Sequence, residues 1–525
     1  MKQKTCLVAL LFIFSVAALF AQNGYRNPII PGFNPDPSVC RVGNDYYLVT
    51  SSFEYFPGLP IYHSKDLVNW EQIGHCLTRD SQLPLQNAFA SGGLFAPSLR
   101  YHDGLYYVIC TNVSGGGNFY CTATDPAGPW SEPIWVKIDS IDPEIFWDDD
   151  GRTYFVTQGN EGIRITEIDV KTGEVLSPEH LVWGGIGGRF PEAPHVYKKD
   201  GYYYLLLGEG GTEYMHSATI GRSRQLLGPY ESCPLNPILT HANRIGQGSP
   251  IQGVGHADLI EAADGSWWMV FLGFRVTQPY SYYHILGRET FLAPVSWPKG
   301  GWPQVNGNGT VSLEMDVPTL PQQPFAKAPA RTDFNESQLG FEWQYLRNPI
   351  RENYSLTEKP GFLRITASPH TLNDAAQLSF VGRRQTAHDF VAETALELQA
   401  NKENEEAGIT LIQNNSHHYD LLIKKQKQDY LVQLRVKAGS LSYIAAEQVM
   451  KSNKVKFKIA GAPLSYTFFC ADEGADYREL GSLDTRYLST EVAGGFTGVM
   501  IGLYASSNGE QSTAKGYFDR FEYVE

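Results

Sequence analysis

The feature that most constrains the fold of this chain is a segment that recurs five times within the first 300 residues. Each copy has a first residue, an apolar stretch, a turn at an acidic residue or glycine, and then an aromatic stretch. The copies begin at Asp36, Phe95, Asp142, Glu192 and His256, between 47 and 64 residues apart, and each first residue stands nine positions before the turn. Repeats of this length with several strands each are typical of propeller blades.

The rest of the pattern agrees with an all-β fold. Short stretches rich in Tyr, Val, Ile and Trp alternate with Gly, Asp and Pro turns, and long amphipathic helical patterns are nearly absent. We therefore predict a five-bladed β-propeller over residues 22–315. Residues 316–331 hold four prolines and predict a stiff linker. Residues 332–525 alternate as strands without the repeat, which favours a β-sandwich of the jelly-roll, concanavalin-like kind.

The amino terminus indicates where the protein is located, and the overall charge indicates which kind of ligand it binds. Residues 1–21 have a basic tip, an apolar run and a small residue at the end, as a secretory signal peptide does, and the run is short for a membrane span. We expect export to the periplasm or the medium. A formal net charge of −14 argues against nucleic acid and fits a neutral ligand. The oligomeric state is left open.

Six cysteines lie beyond this segment. They are scattered without a CxxC pair, so the sequence indicates neither a zinc site nor a dense disulfide framework. A single bridge between Cys110 and Cys121, across a hairpin, is left open.

Three of the five first residues are carboxylic acids. Because equivalent positions of the blades face a common axis, we expect all five first residues to converge at one end of the channel. Like charges in one cleft resist joint ionisation, so one acid keeps its proton while another stays ionised, which is the pairing needed for glycoside hydrolysis. Metal chelation by these carboxylates is the rival chemistry, and a hard cation held at the axis by His256 and waters is a conceivable structural feature. Pro35 and Pro37 flank Asp36 and predict that its backbone is extended.

Four stretches carry a resemblance to a known family: NPIIPGFNPDPSV, SSFEYFPGLPIYHSKDLVNW, RFPEAPHVYKKDGYYYL and ILGRETFLAPVSW. They resemble glycoside hydrolase family 43, in its two-domain β-xylosidase/α-L-arabinofuranosidase branch. The resemblance implies inverting chemistry with Asp36 as general base, Glu192 as general acid, and Asp142 raising the pKa of the acid and orienting it. It places His256 on the axis, where the family often has a calcium or another ion, although the reaction requires no cofactor.

The same resemblance implies a sugar pocket. Phe53 and Phe95 would line it, Arg288 would bind sugar hydroxyls, and Phe496 would reach it from the sandwich and block its far end, so that the enzyme acts on chain ends. The chain has Phe95 where the β-xylosidases of the branch have Trp, and it lacks their Trp in the stretch after Asp142. Both departures alter the pocket wall and leave the acids in place.

The expected activity is therefore exo-acting, inverting hydrolysis that releases a terminal pentose from an oligosaccharide or polysaccharide of plant hemicellulose. We expect α-L-arabinofuranose, with β-D-xylosidase side activity, from side chains of xyloglucan or arabinoxylan. A strict β-1,4-xylosidase acting on xylo-oligosaccharides is the alternative. A non-catalytic carbohydrate-binding protein is a remote one, because it would be expected to lack one of the three acids.

Overall fold

The computed structural model describes residues 24–244, 247–277, 282–316 and 320–525. The predicted signal peptide lies outside these residues, as do three residues of the predicted linker. In the described part nearly all regular structure is β-strand. The helices found there are α1 (Thr490–Ala493) and the 3₁₀ turns Arg351–Asn353 and Thr485–Leu488. No helix among the described residues is long and apolar enough to cross a membrane.

The predicted five-bladed propeller is confirmed, and each blade is an antiparallel sheet. A short strand precedes the blades, β1 (Tyr25–Arg26). Blade 1 contains β2 (Ser38–Val42), β3 (Asp45–Val49), β5 (Gly58–Ser64) and β6 (Glu71–Leu77), with β4 (Tyr55–Phe56) between β3 and β5 in the chain. Blade 2 contains β7 (Ser98–His102), β8 (Leu105–Asn112), β9 (Gly117–Ala123) and β10 (Ile134–Val136). Blade 3 contains β11 (Ile141–Trp147), β12 (Thr153–Gly159), β13 (Gly162–Asp169), β14 (Glu174–Val175) and β15 (His180–Trp183).

Blade 4 contains β16 (Glu192–Lys199), β17 (Tyr202–Glu209), β18 (Ser217–Ser223), β19 (Glu231–Ser232) and β20 (Leu239–Thr240). Blade 5 contains β21 (Ile251–Glu261), β22 (Trp267–Arg275), β23 (Glu289–Ser296) and β24 (Gln304–Val305), and β25 (Glu314–Met315) follows it. The first strands of the blades contact one another in turn around the axis, with β21 returning to β2. Pairing of β1 with β25 brings the two ends of the propeller segment together.

Strand pairing corrects the alignment of the repeats. Ser38, Ser98, Glu144, His195 and Asp258 occupy equivalent rungs, since they pair with Val49, Ile109, Val156, Leu206 and Val270. The positions equivalent to Asp36 are therefore Ala96 and Ala193 in blades 2 and 4, one residue after Phe95 and Glu192. Counting from the turn failed because the slot used in blade 1, Asp45, is the first residue of the second strand, whereas the slots used in blades 2 and 4, Gly104 and Gly201, are the second residues of turns of the same length.

The second part is the expected β-sandwich of two large sheets. Its strands are β26 (Arg331–Thr332), β27 (Gln344–Leu346), β28 (Tyr354–Ser355), β29 (Leu363–Thr366), β30 (Phe380–Arg384), β31 (Phe390–Gln399), β32 (Glu406–Asn414), β33 (His417–Gln426), β34 (Asp429–Ala438), β35 (Leu441–Met450), β36 (Lys454–Ala462), β37 (Ser465–Asp472), β38 (Arg478–Asp484), β39 (Met500–Ser506) and β40 (Lys515–Val524). Strand β31 alternates buried and more exposed residues, as expected for a strand with one face on a core.

The two domains share a sheet. Strand β4 of the propeller segment pairs with β27, where Tyr345 lies opposite Phe56 and Leu346 opposite Tyr55, so it forms the edge of the sandwich sheet β35-β34-β33-β32-β39-β30-β27-β4. Tyr55 and Phe56 directly follow Phe53 and Glu54 in the chain. The sandwich is therefore hydrogen-bonded to the segment that carries a pocket residue.

The disulfide left open by the sequence is absent. Cys110 and Cys121 are free and buried, as are the other four cysteines of the described residues. In the hairpin of β8 and β9, Cys110 lies opposite Phe119 and Cys121 opposite Val108, so the two thiols are not cross-strand partners. They pack instead with aliphatic and aromatic side chains of the same core.

Candidate active site

A small cavity of about 60 Å³ opens at the end of the propeller axis where the first strands begin. It contains all eight of the site residues expected from the sequence. Those residues are Asp36, Phe53, Phe95, Asp142, Glu192, His256, Arg288 and Phe496. Three further residues line it that the sequence analysis missed: Ala96, Ile141 and Thr212. Ala96 could have been identified from the repeat, because it is the residue of blade 2 that is equivalent to Asp36. A single Thr in a loop has no sequence pattern that marks it as a site residue.

The backbone turns sharply near the start of the first strand in four of the five blades, and this turn aims the side chains at the axis. Asp36 has a φ of 55°, and the equivalent residues Asp142, Ala193 and His256 have values of 53°, 53° and 46°. The expectation that Asp36 is extended is therefore wrong. Pro37 acts on the ψ of the preceding residue, and the tertiary packing at the axis selects a left-handed φ that few non-glycine residues adopt.

Asp36 is held by one partner on each carboxylate oxygen. Ser51 Oγ donates to Oδ2 at 2.5 Å, and Arg288 Nη1 donates to Oδ1 at 3.0 Å. Burial alone would raise the pKa of Asp36, but the Arg288 guanidinium, then the neighbouring His256 ring, and the Ser51 hydrogen bond outweigh it and lower the pKa below its ordinary value. Asp36 is consequently ionised at neutral pH, although it is only 4% exposed.

Asp142 and Glu192 show the opposite behaviour. Burial and then the charge of Asp36 raise the pKa of Asp142 to about 7, against one hydrogen bond donated by the Ala193 N–H at 3.2 Å. Burial and then the charges of Asp142 and Asp36 raise the pKa of Glu192 well above its usual range. The pair therefore retains a proton at neutral pH, and this proton resides on Glu192. Glu192 does not occupy the axial rung itself. The register shift between Glu192 and His195 places it one residue earlier.

Arg288 connects the base to the pocket wall. Besides Asp36, its Nη1 donates to Thr212 Oγ1 at 2.7 Å, and its Nη2 donates to the Phe496 carbonyl at 3.4 Å. The guanidinium also lies 5.8 Å from the ring centre of Phe53 and 5.4 Å from that of Phe496. A side chain so constrained presents its remaining N–H groups in a fixed direction.

Phenylalanines form the wall. The ring of Phe53 stacks on that of Phe496 at 5.8 Å and meets Phe95 edge-on at 5.7 Å. Phe53 is held at a φ of 48° by two hydrogen bonds with Leu94. Gly93 must be glycine there, since a Cβ would lie 2.3 Å from the Phe53 carbonyl oxygen. Such rings can stack on the C–H faces of a sugar.

The sandwich supplies the cap of the pocket. Phe496 N–H donates to Ser91 Oγ at 2.8 Å, which ties the cap to the propeller. Just before it, Glu491 of α1 accepts from the His284 backbone N–H at 3.0 Å and lies 2.7 Å from His284 Nδ1. Tyr214 O–H donates to the same carboxylate at 2.8 Å. A second cavity of about 430 Å³ lies beside this contact and shares Thr212, Arg288 and Phe496 with the pocket.

The donors around His256 do not fit a calcium ion. His256 Nδ1 lies 3.6 Å from Asp36 Oδ1, an oxygen already engaged by Arg288. Burial lowers the pKa of His256 to about 4, so the ring is neutral, and calcium prefers oxygen ligands to imidazole. No cluster of three or more His, Cys, Asp or Glu arranged to hold a metal occurs in the described residues.

The comparisons with known proteins agree with this geometry. The model of glycosyl hydrolases family 43 matches residues 25–303, and that of the beta xylosidase C-terminal concanavalin A-like domain matches residues 331–524. The chain is 44% identical to the non-reducing end alpha-L-arabinofuranosidase BoGH43B of Bacteroides ovatus, covering 100% of this chain and 99% of that protein. It is 43% identical to a xylosidase/arabinosidase of Butyrivibrio fibrisolvens, covering 93% and 96%.

Among solved structures, the chain is similar to "Bacteroides ovatus Xyloglucan PUL GH43B". That likeness has a TM-score of 0.92 at 44% identity and covers 95% of this chain and 99% of the other.

Replacing Asp142 by Asn tests the electrostatic coupling of the acids. With its pKa of about 7, Asp142 is ionised on the alkaline side, where its charge helps Glu192 to keep its proton. Asp142→Asn should therefore lower the pKa of Glu192 and move the alkaline limb of the kcat/KM profile down by about 1 pH unit. The exposed Asp139→Asn should leave the limb in place. An alkaline limb of Asp142→Asn that coincides with that of the unmodified enzyme would contradict the coupling.

Proposed function

The chain belongs to glycosyl hydrolases family 43, and from this premise we propose that it is an inverting, exo-acting glycosidase that releases a terminal pentose. The proposal rests on the division of protonation between acids that line one pocket. Arg288 keeps Asp36 ionised, whereas burial beside other acids keeps Glu192 protonated. An ionised base and a protonated acid facing one cavity are the two groups that hydrolysis of a glycosidic bond requires.

In the proposed reaction Asp36 takes a proton from a water molecule while the water oxygen attacks the anomeric carbon. The bond between that carbon and the leaving oxygen breaks, and Glu192 gives its proton to the oxygen. Because water attacks from the face opposite the leaving group, the configuration inverts in a single step. Asp142 stabilises the protonated form of Glu192 and accepts from the adjoining Ala193 N–H. Acid, base and water are complete without a cofactor.

The size and closure of the pocket support action on chain ends. The cavity is small, at about 60 Å³, and Phe53 and Phe496 close its wall. Arg288 and Thr212 offer the polar contacts that would bind sugar hydroxyls, beside the aromatic surface for the C–H face. A chain could not continue past this wall, so one terminal sugar would be released in each reaction.

The proposed sugar is α-L-arabinofuranose, with β-D-xylosidase side activity. Support comes from the relatives, one described as a non-reducing end alpha-L-arabinofuranosidase and another as a xylosidase/arabinosidase. A relative at 35% identity, from Bacillus subtilis, is a beta-xylosidase, which keeps a strict β-1,4-xylosidase as the second candidate. We propose side chains of hemicellulose, xyloglucan or arabinoxylan, as the source of the sugar. Export to the periplasm or medium, from residues 1–21, belongs to the same proposal.

Removing either proton-transferring group should abolish turnover of natural substrates. We expect Asp36→Asn and Glu192→Gln each to lower kcat/KM on an arabinosyl oligosaccharide by about 10²-fold or more. On an aryl glycoside with a good leaving group, Glu192→Gln should recover activity and Asp36→Asn should not, because such a leaving group needs no proton. Thermal melting and the exposed Glu161→Gln serve as controls. Near-normal activity of Asp36→Asn would refute the assignment of the base.

The sugar preference is decided by one comparison. We expect kcat/KM of the unmodified enzyme to be higher on 4-nitrophenyl α-L-arabinofuranoside than on 4-nitrophenyl β-D-xyloside, with both measurable, because the leaving group is the same and only the terminal sugar differs. Activity on the xyloside alone would instead support the strict xylosidase and would leave the acid–base mechanism intact.

A further inference from the structure

A second polar layer lies on the propeller axis directly behind the acid pocket. Three of its members lie two positions after a pocket residue in the chain. Ser38 follows Asp36, Glu144 follows Asp142, and Asp258 follows His256. All three side chains contact the Arg100 guanidinium, so this layer lies on the axis as well. All three of these residues are buried.

Arg100 of blade 2 is the centre of this layer. Its guanidinium lies 2.5 Å from Glu144 Oε1 of blade 3 and donates to Asp258 Oδ2 of blade 5 at 2.8 Å. It donates to Ser38 Oγ of blade 1 at 3.2 Å and lies 2.7 Å from His195 Nδ1 of blade 4. One side chain therefore contacts the first strand of each of the other four blades.

The remaining oxygens of both acids are also occupied. Asp258 Oδ2 accepts from Ser38 Oγ at 2.7 Å and from the Val39 N–H at 3.1 Å, and its Oδ1 accepts from Tyr197 O–H at 2.6 Å. Glu144 Oε2 accepts from the Val196 N–H at 2.7 Å. No carboxylate oxygen of the layer is left to bind an ion, and the guanidinium occupies the position between the two acids that an ion would need.

We propose that Arg100 is the axial cation of this propeller, so that the protein closes its ring and positions its acids with an internal charge and without a bound metal ion. Two buried carboxylates without a cation would repel each other and hold the first strands apart. Arg100 prevents this and joins the strands at Ser38 and Glu144, two positions after Asp36 and Asp142. Arg100 is thus a positioning residue for the acids and does not touch the substrate.

We expect the unmodified enzyme and the Arg100→Ser variant to respond differently to metal ions. The unmodified enzyme should keep its Tm and kcat after dialysis against EDTA and should not respond to added calcium. In Arg100→Ser, the Tm should fall by about 5–10 °C and kcat should fall with it, because two buried charges lose their partner. The new space is lined by the oxygens of Glu144, Asp258 and Ser38, which are ligands that calcium accepts. Millimolar calcium chloride should therefore restore part of both the Tm and kcat of Arg100→Ser.

Two control variants separate charge from general damage. Arg100→Lys keeps the charge and loses the planar contacts. Its Tm should therefore lie between those of the unmodified enzyme and Arg100→Ser, and it should not respond to calcium. Arg152→Ser removes an exposed arginine of blade 3 and should change neither quantity. If calcium raises the Tm and kcat of Arg100→Ser alone, the result would support the role of Arg100 as a cation. Loss of packing alone does not predict such a recovery.

The opposite outcomes would overturn the proposal. One is a fall of Tm or kcat in the unmodified enzyme on EDTA treatment that calcium reverses. The other is an Arg100→Ser variant whose Tm is unchanged, or falls without any response to calcium. If Arg100→Ser yields no folded protein even with calcium present, a calcium-independent Arg100→Lys together with an EDTA-resistant parent would support the proposal, and a calcium-responsive Arg100→Lys would refute it.

Discussion

Like charges are confined at the propeller axis, and the surrounding structure is arranged to hold them there. Five first strands converge there, and their opening turns bring Asp36, Asp142 and Glu192 into one buried cavity. Water cannot screen these charges, so the acids are distinguished by their neighbours alone. Arg288 stands beside Asp36 and lowers its pKa, while Glu192 has no cation in direct contact among the described residues and keeps its proton.

The arginines on the axis act in two successive layers. Arg288 lies in the pocket, where it selects the acid that is ionised and links it to the cap through the Phe496 carbonyl. Arg100 lies one rung behind, where it neutralises the acids of the second layer and joins the blades. The sandwich then closes the pocket: β4 pairs with its sheet, and Glu491 ties α1 to the propeller. Each device limits how far the three acids can move apart.

Much of this arrangement could be predicted from the sequence, because the repeat is visible as a pattern of residue types. The number of blades, the three acids and the aromatic pocket residues follow from it or from the family resemblance. The register in blades 2 and 4 was mispredicted by one residue, because Asp45 of blade 1 is not the structural equivalent of Gly104 and Gly201. The left-handed φ of Asp36 was mispredicted because Pro35 and Pro37 suggest local extension, whereas packing at the axis decides the turn. Arg100 and Thr212 carry no motif, and their roles appear only when distant strands meet.

In the proposed mechanism, Asp36 activates water to attack the face opposite the leaving oxygen. Hydrolysis of an aryl α-L-arabinofuranoside, followed by ¹H NMR from the first turnovers and before the free sugar mutarotates, tests this role. We expect β-L-arabinofuranose to appear first and the α anomer to form later by mutarotation. An α anomer appearing first would mean retention through a covalent intermediate, and it would contradict the role of Asp36 as a base.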